Sequence, residues 1–362
     1  MKCFKGTGFL TIFFSVLAFT ASSQHLKDVF AEDFLIGTAL NRGQIIKDAP
    51  QGKLIKEEFS VLTAENVMKS IHIHPEEDKY DFEMPDKLFE LAEANGQKVH
   101  GHTLIWHSQL SRFMREIDSA EEMEKAMIAH IGTIAGRYKG KVLSWDVVNE
   151  AVEDDGSLRK SVFFNTLGED YLALAFKLAE AADPIADLYY NDYSMTGVKK
   201  RAGVIRMVKK IQASGAKIDG IGMQGHWGLE SPSLEEIEES ILAYASLGVK
   251  VAITELEIDV LPNPNGLSGA DISQNAKLQA RLNPYADGLP MAVEIAQAQR
   301  YKDVFALFLK HKSKISRVTF WGVNDGDSWK NNFPVKGRTN YPLLFDRENM
   351  PKKAYEGLME LN

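Results

Sequence analysis

Cysteine is almost missing from this chain: the 362 residues hold one, Cys3. It lies in a charged leader segment, so a chain shortened behind that leader has neither disulfides nor thiolate chemistry and owes its stability to packing. Positive charge is not in excess. Lys and Arg total 42 against 50 Asp and Glu, giving a net charge of -8 and a pI near 5.7, which argues against nucleic acid as a partner because phosphate binding relies on a basic surface. The apolar stretch 9–19 covers about half of the roughly 20 residues that a membrane span needs. No glycine-rich phosphate loop follows a strand, so nucleotide chemistry is unsupported. No linker, repeat or low-complexity segment marks a second domain.

Residues 1–23 read as a secretory signal, with Lys2 and Lys5 ahead of the apolar stretch and Ala21, Ser22 and Ser23 behind it. The mature chain, 24–362, is therefore expected to be secreted or periplasmic, monomeric and free of the membrane once the signal is cleaved; a retained anchor is the alternative. Cys3 precedes the apolar stretch, whereas a lipid-modified cysteine would follow it.

The mature chain is rich in what a large core needs, 44% hydrophobic and 25% charged over the whole sequence. From Asp33 onward short apolar runs alternate with amphipathic stretches, the pattern of βα units and a parallel sheet. Strands are expected at 34–40, 61–63, 98–106, 142–150, 186–190, 220–223, 250–254 and 315–323. Helices are expected at 88–95, 121–138 behind an N-cap at Ser119, 171–182, 198–214, 233–248, 291–311 and 352–361. Eight strands, seven of them followed by an expected helix, predict one α/β domain, a single (β/α)8 TIM barrel. The stretch 261–290, with four prolines and three glycines, is expected to be a long loop after the seventh strand with a short helix near 276–281, lying over the carboxyl face.

Catalytic groups of such barrels sit at the carboxyl ends of the strands. Sorted by strand, the polar tips are Glu65, Asn66 and Lys69; His102, Trp106, His107 and Gln109; Asn149 and Glu150; Asn191 and Tyr193; Gln224 and His226; Glu255 and Glu257; Trp321 and Trp329. Two of the carboxylates, Glu150 and Glu255, end the fourth and seventh strands. A carboxylate pair flanking a cavity suits glycoside hydrolysis, in which one protonates the leaving oxygen and the other attacks the anomeric carbon or activates water. Tryptophans at the mouth can stack on sugar rings, and the amides, histidines and lysine can bond hydroxyls. His102 and His107, five apart on a strand end, lack the one-face spacing of a helical zinc pair, so neither a metal nor another cofactor is expected. Asp146 is expected to be a structural partner, Trp145 a core residue, Asp192 a loop-positioning residue, and His72 and His74 surface or loop residues.

The ordered motifs Gly101-His102-Thr103-Leu104-Ile105-Trp106-His107, Trp145-Asp146-Val147-Val148-Asn149-Glu150, Ile253-Thr254-Glu255-Leu256 and Thr319-Phe320-Trp321-Gly322-Val323 resemble glycoside hydrolase family 10, the endo-1,4-β-xylanases, from about Leu35 to Leu358. The resemblance implies xylan and xylo-oligosaccharides as substrates, with Glu150 the acid/base and Glu255 the nucleophile of a retaining mechanism. It implies that Glu65, Asn66, Lys69, His102, Trp106, Gln109 and Trp321 bind the glycone, with Trp329 closing over them. Asn149 would bond the 2-hydroxyl of the sugar under attack. Gln224 would orient Glu255 and hold a substrate hydroxyl. His226 would sit beside the nucleophile, Tyr193 would serve the aglycone, and Asn191 would line the substrate site. Glu257 and His107 would be supports. Ionised Glu255 is expected to raise the pKa of Glu150. Two positions depart from the family pattern: Glu257 stands where Asp is usual, and Ser70 where Trp is usual. A related barrel acting on β-1,4-glucan or xyloglucan, and a non-catalytic polysaccharide-binding barrel, are the competing readings.

Overall fold

The computed structural model describes residues 1, 24–46, 48–264 and 276–361; the signal expected at 1–23 lies, but for its first residue, outside the described residues. Among the described residues nine parallel strands form in chain order: β1 Leu35–Leu40, β2 Val61–Ala64, β3 Lys98–Trp106, β4 Ser144–Asn149, β5 Asp187–Asp192, β6 Gly220–Met223, β7 His226–Gly228, β8 Lys250–Asp259 and β9 Ile315–Phe320. Eight of them close into a barrel, each beside its neighbour in sequence, with β6 against β8 and β9 against β1. Helices lie between the strands, so the chain is a (β/α)8 TIM barrel.

The extra strand, β7, pairs with the far end of β8, His226–Gly228 against Glu257–Asp259. It explains why β8 runs five residues beyond the expected 254. The added ladder carries β8 past the barrel rim, and Glu255 sits within a paired strand rather than at a loose tip. β9 stops at Phe320, short of 323, where Gly322 takes φ 135° and breaks the extended run.

The amphipathic periodicity located the seven expected helices but misjudged several ends, and it missed the short helices Leu26–Val29, Arg42–Ile45, Gly52–Glu58, Ser70–Ile73, Arg112–Arg115 and Val162–Leu167. The helix expected at 88–95 begins at Glu83, carried by Met84, Leu88 and Ala92 at a spacing of four, with Pro85 tolerated in its first turn. Ser119 caps Ala120–Arg137 by accepting from the Glu122 N–H, and Ser233 with Glu236 forms a capping box for Leu234–Ala245. In the long loop after β8, the helix expected at 276–281 is instead a 3-10 turn, Ala280–Leu282; residues 265–275 lie outside the described residues.

Side chains alternate along the strands, apolar toward the helices and largely polar toward the axis. Trp145 points outward, 1% exposed, and its ring covers Gly101 on β3: a Cβ there would lie 2.1 Å from the indole. An aromatic of this size buries on the order of 200 Å², roughly 5 kcal/mol at about 25 cal/mol/Å², and the glycine is what admits it. Inside the barrel, Arg317 donates to Ser144 Oγ and Thr319 Oγ1, and Asp146 lies between His100 and His102. Asp146 is therefore the structural partner expected of it. His74 corrects its expectation. It is 1% exposed, its Nδ1 is 2.9 Å from Nδ1 of His130 and its Nε2 2.8 Å from the Glu77 carbonyl. The turn Ser70–Ile73 rolls it under the chain, which alternation in an extended segment could not reveal, while His72 is exposed.

Candidate active site

Thirteen of the side chains singled out by strand position line one hollow of about 100 Å³ at the carboxyl face: Glu65, Asn66, Lys69, His102, Trp106, Gln109, Asn149, Glu150, Gln224, His226, Glu255, Trp321 and Trp329. His226 also lines a neighbouring hollow of about 450 Å³, to which Tyr193 belongs. Asn191 and Glu257 are fully buried around the first hollow. His107 packs edge-on to Trp106, 6.1 Å between centroids.

Glu150 follows the last residue of β4 and is 6% exposed. A register shift between Asp146 and Val148 against β5 places both Val147 and Val148 in the apolar core and re-aims the strand tip toward the cavity. Glu150 itself takes φ 57°, a left-handed conformation that costs a side-chain-bearing residue about 1–2 kcal/mol. Such strain is found where a site over-determines its geometry.

Two donors hold its carboxyl group, Trp106 Nε1 to Oε2 at 2.8 Å and Gln224 Nε2 to Oε1 at 3.0 Å. Burial nevertheless pushes its pKa up to about 7, helped by the negative charge of Asp192 and less by Glu255, against the pull of both hydrogen bonds. Glu255 thus contributes in the expected direction, but desolvation is the larger cause. The side-chain amide of Gln224 serves Glu150, while its main-chain carbonyl accepts from the Glu255 N–H at 2.6 Å. Asn191 orients Glu255 instead: its Nδ2 donates to Glu255 Oε1 at 2.9 Å while its Oδ1 accepts from Thr254 Oγ1 at 2.6 Å. Register explains the exchange, since β5 brings Asn191 beside Asn149 of β4 and Gly222 of β6, and Gly222 leaves the space that a side chain would take from the Asn191 amide.

Glu255 is 5% exposed and is shifted the other way. Burial alone would raise its pKa, but the hydrogen bond and charge of His226, followed by His102, hold it below the ordinary 4.5. His226 Nε2 lies 3.1 Å from Glu255 Oε2, and its Nδ1 lies 2.7 Å from Glu257 Oε1. Burial disfavours a charged imidazole, yet Glu257 and Glu255 outweigh it and raise the His226 pKa. The longer Glu257 side chain thus makes the contact that an Asp would be expected to make. It also accepts from Trp329 Nε1 at 3.0 and 3.1 Å, fixing an indole that stacks on Phe333.

Around the other side, Asn66 donates to Glu65 at 3.0 Å and Lys69 to Asn66 at 3.1 Å. Burial lowers the Lys69 pKa and raises that of Glu65, each opposed by the other's charge. His102 gives Nδ1 to Asp146 at 2.8 Å and lies edge-on to Trp321 at 5.4 Å. Asn149 sits between the Asn191 carbonyl and the Trp106 indole. Turned so that its nitrogen donates to the former at 3.1 Å, its oxygen accepts from the latter at 3.2 Å. Ser70 packs against Ser111 Oγ at 3.1 Å and Met114, so small residues fill the space behind Lys69. Among the described residues no three His, Cys, Asp or Glu are grouped to hold a metal ion, and no helix is long and apolar enough to cross a membrane.

The model of glycosyl hydrolase family 10 matches residues 25–361. The chain belongs to that family. It is 44% identical over 352 residues to endo-1,4-beta-xylanase A of Xylanibacter ruminicola, covering 96% of this chain and 95% of that protein. It is 40% identical over 333 residues to endo-1,4-beta-xylanase B of Paenibacillus barcinonensis, covering 90% and 95%. The solved structure of a GH10 endoxylanase retrieved from a sugarcane soil metagenome superposes with a TM-score of 0.91 at 44% identity, over 93% of this chain and all of that one. This family 10 protein is a glycoside hydrolase, and two residues that bond the backbone at Glu150 and Ala151 lie outside the strand-tip pattern. Arg159, nine residues past Glu150, donates to the Glu150 carbonyl. Tyr190 reaches the next peptide from within β5. Neither carries a sequence signal beyond a charged loop residue and a strand aromatic.

Proposed function

We propose that this protein is a secreted endo-1,4-β-xylanase that hydrolyses internal β-1,4 bonds of xylan with retention of configuration. The observation that carries the mechanism is the opposite displacement of two buried carboxyl groups, Glu150 up to about 7 and Glu255 below 4.5. Ionised Glu255 attacks the anomeric carbon while protonated Glu150 gives its proton to the departing glycosidic oxygen; a glycosyl ester and a free sugar hydroxyl result. With the Glu255 charge consumed in the ester, Glu150, now ionised, takes a proton from water, which attacks the ester, releases the sugar and regenerates both groups. Carboxyl groups about 5 to 5.5 Å apart serve such a mechanism.

Glu65, Asn66, Lys69, His102, Trp106, Gln109, Asn149, Trp321 and Trp329 bind the glycone in this reading, and Tyr193, from its neighbouring hollow, the aglycone. The relatives named endo-1,4-beta-xylanase support xylan and xylo-oligosaccharides as substrates, and the leader sequence supports secretion.

Reducing ends followed on xylan, cellulose and xyloglucan test the substrate: xylan is expected to be cut preferentially, and faster turnover of cellulose or xyloglucan sinks the assignment. Glu255→Ala is expected to lose hydrolysis and to regain turnover with azide, giving inverted product. A retained azide product would reverse the roles of the two glutamates.

A further inference from the structure

We propose that Arg159 is a positioning residue for the proton donor: it locks the left-handed backbone at Glu150 and thereby aims its carboxyl group. This rests on the reading of Glu150 as acid/base.

Every backbone polar group of Glu150 and Ala151 has a partner. Glu150 N–H donates to the Asn191 carbonyl at 2.9 Å. The Glu150 carbonyl accepts from Arg159 Nε at 2.9 Å. Ala151 N–H donates to the Tyr190 hydroxyl at 3.1 Å, and that hydroxyl donates in turn to Asp192. The Ala151 carbonyl accepts from Arg159 N–H at 2.8 Å, and Val152 N–H donates to Asp192 Oδ2 at 3.4 Å. Arg159 therefore bonds the turn twice, by its main chain and by its side chain.

The guanidinium is itself held. Its Nη2 donates to the Tyr193 hydroxyl at 2.8 Å and lies 3.2 Å from Glu153 Oε2, and its side chain is 14% exposed. Residues 151–159 fold back as a small loop closed by the Val152–Leu158 bridge, which returns Arg159 to the turn it left nine residues earlier. An L-residue at φ 57° relaxes by rotating its flanking peptides unless they are held. The Glu150–Ala151 peptide is the one whose rotation would swing the carboxyl group away from Trp106 and Gln224, and its oxygen has Arg159 as donor. Tyr193 links the same guanidinium to the neighbouring hollow, so the aim of the donor is tied to the wall where the leaving sugar would sit.

The test separates positioning from general stability through the leaving group. Arg159→Met removes the donors and keeps the aliphatic stem; Arg159→Lys restores one donor. Each is compared with wild type for kcat/KM on xylan, whose leaving oxygen needs a proton, and on a 2,4-dinitrophenyl xylobioside, whose leaving group needs none. Arg159→Met is expected to lose about 10²-fold on xylan and less than about 5-fold on the aryl glycoside, with Arg159→Lys between it and wild type. Equal losses on both substrates, in a protein whose circular dichroism matches wild type, overturn the proposal. Tyr190→Phe, which strips the acceptor from Ala151 N–H without touching Arg159, is expected to show the same split at smaller size. Should Arg159→Met not fold, absence of the split in Tyr190→Phe overturns it. Glu150→Ala is the control: if it shows no split, the acid/base reading of Glu150 has failed, whereas a split there and none in the Arg159 variants defeats this inference alone.

Discussion

Glu150→Gln should make the protein more stable at neutral pH, and the gain should disappear in acid. Burial and the charge of Asp192 raise the Glu150 pKa from 4.5 to about 7 in the folded chain. A carboxyl group whose folded pKa lies above its unfolded value binds its proton more tightly when folded. Its contribution is then at its most favourable below pH 4.5 and is lost as pH rises from there through about 7. At 1.36 kcal/mol per pH unit, the loss amounts to about 3 kcal/mol above pH 7.

The amide cannot ionise and escapes that loss. Its oxygen keeps Trp106 Nε1 as donor, and its nitrogen faces Gln224, whose Oε1 is buried with no hydrogen-bond partner among the described residues. Turning the Gln224 amide over satisfies both. Thermal unfolding of wild type and Glu150→Gln between pH 4 and 8 reads the difference. The two should agree near pH 4, and Glu150→Gln should melt about 4 °C higher at pH 8, from an unfolding entropy of about 2.1 cal/mol/K per residue. A gap independent of pH, or a variant less stable at pH 8, would refute the reasoning, because either result means that the folded protein does not oppose the charge on Glu150.

The same displacements set the pH dependence of catalysis: kcat/KM on xylan should fall as pH drops through the lowered pKa of Glu255 and again as it rises through about 7, and activity still climbing above pH 8 would contradict it. Glu257→Asp should release Trp329, since one carboxylate now reaches both His226 and that indole; losing a bond of about 1 kcal/mol predicts an approximately 5-fold higher KM on xylo-oligosaccharides, and a fall in kcat at unchanged KM would count against it. Gly101→Ala puts a methyl 2.1 Å from the Trp145 ring and should cost at least about 1–3 kcal/mol in urea unfolding; a cost below about 0.5 kcal/mol would mean that the indole yields freely.

The candidate site was legible to the extent that position along a strand decides which face a residue reaches. Glu65, His102, Glu150, Gln224, Glu255 and Trp321 belong to, or directly follow, six different barrel strands far apart in sequence, yet all line one hollow, because a closed parallel barrel delivers its strand tips to the same rim. Partnership within the rim was not legible. Gln224 and Asn191 are both amides at strand tips, and only the register of β5 and β6 decides that the first serves Glu150 and the second Glu255. His74 looked exposed because an alternating segment was assumed where the chain makes a turn.

The sequence by itself determined the barrel and which carboxylates its strands carry to the rim, because hydrophobic period and residue type are local properties that survive without a third dimension. The tertiary structure decided which carboxyl group keeps its proton. That depends on desolvation and on charges brought in from other strands, Asp192 beside Glu150 and His226 beside Glu255. It also decided that a left-handed glutamate is held by Arg159, since a hydrogen bond to a backbone carbonyl depends on how a loop folds back and leaves no pattern in the order of residues.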